Sequence, residues 1–164
     1  MKRLAYQMIT SPVGKLTVVV TSEALVAVLW ENENFGRVPL GAMELSRGHP
    51  LLIRAERQLK EYFKGERPSF ELPLLPSGTA FQKKVWKALL RIPFGETRSY
   101  GEIAKRVGSP HAARAVGAAI GRNPVSIIVP CHRVIGANGR LTGFAGGLRA
   151  KEFLLIHENN RFKH

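Results

Sequence analysis

At 164 residues, 45% hydrophobic and 23% charged, the chain suits one ordinary domain or two small ones and excludes a disordered or fibrous protein. Its single cysteine, Cys131, excludes an internal disulfide and any multi-thiolate metal site, which fits a reducing, cytoplasmic setting. The net charge of +13 is lopsided: residues 1–76 hold 10 Lys+Arg against 8 Glu, whereas residues 77–164 hold 15 against 4, so the second half is expected to meet a polyanion.

The first half opens with short alternating segments at Leu4–Ile9, Leu16–Val20 and Leu25–Trp30, with Ser11-Pro12-Val13-Gly14 as turn chemistry between the first two. These predict a small antiparallel sheet. Residues 31–48 read as a variable loop. Leu52, Ala55, Leu59 and Phe63 then fall at helical spacing within Leu51–Phe63, with Gly65 as the stop. No chemical constellation is visible here: His49 stands alone before Pro50, and the glutamates are scattered. Pro68–Ser77 holds three prolines and reads as a linker between a domain 1–76 and a domain 77–164.

Helix starts are clearer in the second half. Thr79-x-x-Gln82 and Ser99-x-x-Glu102 are capping boxes, in which side chain and backbone satisfy each other's unpaired groups. The first opens a helix with Phe81, Val85, Leu89 and Ile92 on one face, ended by Pro93-Phe94-Gly95. The second opens a short helix through Ile103 and Ala104 to Val107. Gly108 stops it, and Ser109-Pro110 predicts a further helix from Pro110 to about Ile120. Two short helices around a glycine turn form a helix-turn-helix candidate. The fold class is therefore α+β: a small N-terminal antiparallel sheet-plus-helix domain, then a mainly helical C-terminal domain with a helix-turn-helix.

The second of those helices has one Arg, Arg114, among alanines and a glycine, and so has few groups with which to read base edges. Two readings stand side by side. Small residues let helices pack tightly, or they suit a narrow groove into which one long Arg could reach to replace an extruded base. Beyond Asn123-Pro124, the apolar run Val125–Val129 predicts an extended, interior segment leading to Pro130-Cys131-His132. A lone thiol is more often packing than catalysis. Buried among apolar groups its pKa rises, so a reactive Cys131 needs a base. His132 is adjacent, and with no Asp anywhere in the chain the supporting acid must be a glutamate. Glu158, in a helix read over Lys151–Glu158, is placed to orient the imidazole. The glycine-rich stretch Gly139–Gly147, with Thr142 and Phe144, reads as a loop that could line a pocket.

Pro-Cys-His-Arg-Val, preceded by Arg-Ala-Val-Gly and Asn-Pro and followed by Gly-Gly-Leu-x-x-Lys-Glu-x-Leu-Leu-x-His-Glu, resembles the O6-alkylguanine-DNA alkyltransferase family in order and spacing throughout residues 79–158. The resemblance implies roles. Cys131 would accept the alkyl group, with His132 as its base through a bridging water and Glu158 holding His132. Tyr100 would donate to the guanine ring as it leaves. Arg114 would fill the gap left by a flipped nucleotide, with Ala112, Ala113, Ala115 and Gly117 facing the minor groove. Asn123 would fix the turn before the active-site segment. Val134 and Ala145 would give backbone contacts to the guanine, and Phe144 would wall the pocket where some relatives have Tyr.

What the resemblance implies is direct reversal of damage in double-stranded DNA carrying O6-alkylguanine, with O4-alkylthymine an open alternative. No cofactor and no metal are expected, the N-terminal domain lacking the cysteines with which some relatives bind zinc. A monomer is expected, and no membrane partner, since no signal peptide or spanning apolar run is present. Thiolate attack on the alkyl carbon would leave a stable thioether with no obvious second nucleophile to reverse it, hence a single turnover. A helix-turn-helix regulator would not need the cysteine, a lesion sensor of the same family would lack it, and a cysteine hydrolase would not need a basic half.

Overall fold

The computed structural model describes residues 3–33 and 36–159. The chain divides into two compact units, residues 1–77 with 124–128, and residues 78–123 with 129–164. The second crossing is not visible as a boundary in the sequence, because five residues immediately before the Cys131 segment belong to the first unit.

In the first unit, β1 (Leu4–Ser11), β2 (Gly14–Val20) and β3 (Leu25–Trp30) form antiparallel neighbours, with pairing from Ala5 opposite Val20 to Ser11 opposite Gly14. The β1–β2 turn works because Gly14 takes φ +99°, a left-handed value that suits glycine, while the Ser11 hydroxyl accepts from Val13 N–H at 3.1 Å. A fourth strand, β4 (Met43–Leu45), joins β1 in parallel, so the sheet is mixed, in the order β3-β2-β1-β4. It lies inside the stretch read as loop, and its three residues are all exposed, leaving no alternation to detect.

Helix α1 (Pro50–Phe63) presents Leu52, Ala55, Leu59 and Tyr62 as its buried face, beside Leu16, Val18 and Val28 of the strands in the unit's core. Each buried leucine or valine contributes about 1.5–3 kcal/mol by leaving water. His49, isolated in the sequence, is the N-cap of α1, its Nδ1 accepting from Leu51 N–H at 3.1 Å. The proline stretch is docked rather than loose: Gln58 clamps both backbone groups of Glu71, and Leu74 forms a bridge with Leu25.

The second unit is built on α2 (Ala80–Leu89), α3 (Tyr100–Arg106), α4 (Ala113–Gly121) and α5 (Leu148–Glu158). Both capping boxes form, on Thr79/Gln82 and Ser99/Glu102. Val85, Trp86 and Leu89 of α2 bury beside Ile103, Ala104, Val116, Ala119 and Ile120, and the Trp86 indole donates to the Ala119 carbonyl at 2.8 Å.

Helix α4 begins three residues later than the Ser109-Pro110 signal predicts. Those residues form a turn closed by Ala112 N–H to Ser109 C=O at 2.9 Å, and α4 starts at Ala113 with no side-chain cap. Proline suits the second position of a turn as well as the first position of a helix, and here the turn prevails. Two-residue strands β5 (Arg98–Ser99) and β6 (Val134–Ile135) pair in parallel, setting the start of α3 beside the segment that follows Cys131.

Candidate active site

The approach to Cys131 is extended only at its start, where Val125 forms an isolated parallel bridge with Val28. Beyond it the chain turns tightly, with Ile128 N–H to Ser126 C=O and Cys131 N–H to Val129 C=O, each at 2.8 Å. The β-branched run suggested a strand, but burial decides: Val125, Ile127, Ile128 and Val129 are all 5% exposed or less. Ile127 takes φ +71°, which costs a β-branched residue about 1–3 kcal/mol and persists only because the surroundings impose it. Asn123, fully buried, fastens the far side of this loop, its Nδ2 donating to the Val129 carbonyl at 2.9 Å.

Cys131-His132-Arg133 then form one 3₁₀ turn in which all three side chains are buried. From α5, Lys151, Leu154, Leu155 and Glu158 share the buried face, the i, i+3, i+4, i+7 stripe of an amphipathic helix with charged residues at both ends. Glu158 meets His132 Nε2 at 2.7 Å and receives two bonds from Arg133, Nε at 2.7 Å and Nη2 at 3.0 Å. Arg133 Nη1 donates to the Ile92 carbonyl at 2.7 Å, so each of its three nitrogens makes a hydrogen bond.

Burial penalises ionised Glu158, yet the hydrogen bonds and charges of His132 and Arg133 outweigh it and hold the carboxyl far below its usual range. His132 goes the other way. Its complete burial lowers its pKa below the ordinary 6.5, against the raising effect of Glu158, so the imidazole is neutral at physiological pH. With Nε2–H donating to a carboxylate, Nδ1 carries the lone pair, and that atom has no hydrogen-bond partner among the described residues. The result is an oriented neutral base beside a thiol.

Lys151 is 1% exposed and donates through Nζ to the Val134 carbonyl at 2.7 Å and the Thr142 carbonyl at 3.4 Å. Burial lowers its pKa to about 8, partly opposed by Cys131, whose sulfur feels the ammonium. Tyr100, first residue of α3, meets the Thr142 hydroxyl through its own hydroxyl. Lys151 and Tyr100 thus hold Thr142 from two directions. Phe144 is half-buried and Ala145 exposed, both on the loop between β6 and α5, and Val134 is fully buried.

The remaining sequence candidates sit on α4 or at its start. Arg114, Ala113 and Ala115 are exposed. Ala112 is the N-cap rather than a helical residue, and Gly117 is half-buried, with a Cβ there reaching 3.8 Å from the Tyr100 ring. Sequence reasoning missed Arg133 and Lys151 as members of the site. The stripe ending in Lys151 and Glu158 was the available signal, since charged residues on a buried face must find partners.

A thiol, an oriented imidazole and a buried carboxylate thus share one unit with the paired helices α3 and α4. Residues 80–160 match the DNA binding domain of 6-O-methylguanine DNA methyltransferase, and residues 4–76 match the ribonuclease-like domain of the same family. A methylated-DNA–protein-cysteine methyltransferase of Methanosarcina acetivorans is 52% identical over 156 residues, 94% of this chain and 98% of that protein. That of Mycobacterium tuberculosis is 48% identical over 161 residues, 95% of this chain and 93% of that protein. The crystal structure of the Mycobacterium tuberculosis OGT in complex with DNA superimposes with a TM-score of 0.88 at 48% identity, covering 96% of this chain and 94% of that one. The chain belongs to the methylated-DNA–protein-cysteine methyltransferase family, and is an enzyme of that class.

Proposed function

We propose that this protein repairs O6-alkylguanine in double-stranded DNA by moving the alkyl group irreversibly onto its own Cys131, once per molecule. The observation that carries this reading is the buried Cys131–His132–Glu158 arrangement, set in the unit that also holds the helix-turn-helix. The thiol proton passes to His132 Nδ1, directly or through one water, while Glu158 stabilises the imidazolium that forms. The S–C bond forms as the C–O6 bond breaks, and the electron pair goes to the guanine, where the Tyr100 hydroxyl supplies a hydrogen bond or proton. The thioether has no leaving group comparable to guanine, so the enzyme is consumed.

The target oxygen lies within the base stack, so the nucleotide must be extruded. Exposed Arg114 on α4 is the residue to fill the vacated position. Its small neighbours Ala112, Ala113, Ala115 and Gly117 allow close approach to the minor groove. Val134, Phe144 and Ala145 border the guanine, and Asn123 fixes the loop before Cys131. Residues 77–164 carry the chemistry and residues 1–76 support it, a role that fits the return of Pro124–Ile128 to the first unit. No helix among the described residues is long and apolar enough to cross a membrane. We place the enzyme in the cytoplasm, where a single thiol stays reduced.

Intact and peptide mass spectrometry after mixing with duplex DNA containing O6-methylguanine tests the reading. The expected result is one added methyl on the Cys131 peptide, saturating at one equivalent and absent in Cys131→Ser. Lesion binding with no mass gain would demote Cys131 to packing.

A further inference from the structure

The outer face of α2 carries a feature that alkyl transfer does not use. Lys84 and Lys87 stand at i and i+3 on α2, opposite the buried Val85, Trp86 and Leu89, and Arg91 follows in the turn just past the helix end. With Arg106 and Val107 from the end of α3, and with half-buried Ala88, they line a cleft of about 280 Å³. No carboxylate lines it, and among the described residues none pairs with Lys84, Lys87 or Arg91. Arg106 acts on the Glu102 carboxyl, one turn earlier on its own helix. Like charges at i and i+3, as Lys84 and Lys87 are, cost a helix about 0.2–0.5 kcal/mol per pair, so the cluster is a burden on the folded chain unless an anion meets it.

The cleft gathers four cations, Lys84, Lys87, Arg91 and Arg106. With only Ala88 and Val107 as apolar lining, it suits a phosphodiester backbone rather than an apolar ligand.

We propose that the α2–α3 cleft seats backbone phosphates of DNA outside the stretch approached by α4, giving the protein a second DNA contact. This rests on the reading that the chain acts on DNA. The phosphates come either from the lesion duplex further along its length or from a second duplex. The cleft adds sequence-independent, salt-sensitive affinity and makes no contact with the damaged base.

The test is the full-length triple variant Lys84→Gln/Lys87→Gln/Arg91→Gln, all three side chains being exposed. Binding to a long undamaged duplex is followed as log K against log salt concentration. The variant should show a slope shallower by roughly 2–3, from about 0.9 per lost phosphate contact. Methyl transfer from the free O6-methylguanine base should be unchanged. Energy transfer between two differently labelled duplexes, present with wild type and lost in the variant, assigns the cleft to a second duplex. A slope difference that appears only when the duplex extends well beyond one helical turn, without energy transfer, assigns it to the flanking backbone. Equal slopes for variant and wild type overturn the proposal. If wild type transfers no methyl from any DNA, the repair reading fails, and the slope comparison still reports on the cleft.

Discussion

Glu158→Gln separates what the buried carboxylate does for the fold from what it does for the chemistry. In the native site one oxygen accepts Arg133 Nε and the other accepts both His132 Nε2 and Arg133 Nη2. An amide can place its oxygen at only one of these positions, so a donor of the new NH₂ group faces a donor of Arg133 in either orientation. The guanidinium also loses its counter-charge while remaining 8% exposed. Stranding one member of a buried pair costs about 3–5 kcal/mol. For a chain of this size that is a melting temperature lower by roughly 6–20 °C.

The effect on rate has a separate origin. Without the carboxylate, the imidazolium formed when Cys131 gives up its proton is unsupported, and one of the two amide orientations favours the tautomer with hydrogen on Nδ1. An acid-to-amide change behind a catalytic histidine has cost about 10⁴ in rate where the tautomer switches fully. Because the other orientation retains the native tautomer, the expected loss here is about 10²–10⁴. Equilibrium urea unfolding gives the first number, and single-turnover transfer to excess lesion DNA, measured well below the variant's melting point, gives the second. A variant within about 1 kcal/mol of wild type in stability and within threefold in rate would refute this account of Glu158.

Three further outcomes are expected from the same geometry. Arg114→Ala should slow transfer from lesion-bearing duplex by tenfold or more while leaving transfer from the free O6-methylguanine base unchanged, and equal loss on both substrates would remove Arg114 from base extrusion. Folding stability should climb as pH rises from about 8 toward 10.5, because unfolded Lys151 keeps its proton longer than the folded residue does. Lys151→Met should flatten that climb in paired urea titrations, and a climb of the same size in the variant would show that other groups produce it. Acid should act oppositely on the same unit. The folded pKa values of His132 and Glu158 are both depressed, so the stability they contribute is present above the unfolded values of 6.5 and 4.5 and is lost as pH falls below them. The acid limb of the single-turnover rate should accordingly lie below 6.5, and a midpoint at or above 6.5 would mean that His132 is not the buried neutral base.

Much of this arrangement is legible in the residues alone. Alternation locates β1 to β3, and two capping boxes locate the starts of α2 and α3, since those signals are local and chemically specific. Three exposed residues at Met43–Leu45 carry no pattern, and the two-residue strands β5 and β6 are shorter than any period. The Ser109-Pro110 pair has helix-starting chemistry, although the same residues close a turn equally well. The run before Cys131 misleads for a different reason, because β-branched residues signal a strand only while backbone preference, rather than burial, sets the conformation. In the site, Cys131, His132 and Glu158 are readable from residue chemistry. Arg133 and Lys151 are not, because a charged residue in an apolar stripe announces burial without naming its partner.

Burial of Cys131, only 5% exposed, also governs the fate of the protein once repair is done. On the proposed reaction, each molecule ends with an extra methyl group lodged in a turn whose neighbours, His132, Arg133 and Val134, are themselves buried. An added methyl in a close-packed interior typically costs about 1–3 kcal/mol in displaced side chains and backbone. The spent protein is then less stable than the fresh one at the very segment that Asn123 and Lys151 hold in place. A cell would need no dedicated reader to tell used molecules from unused ones, because ordinary surveillance of loosened folds would discriminate between them.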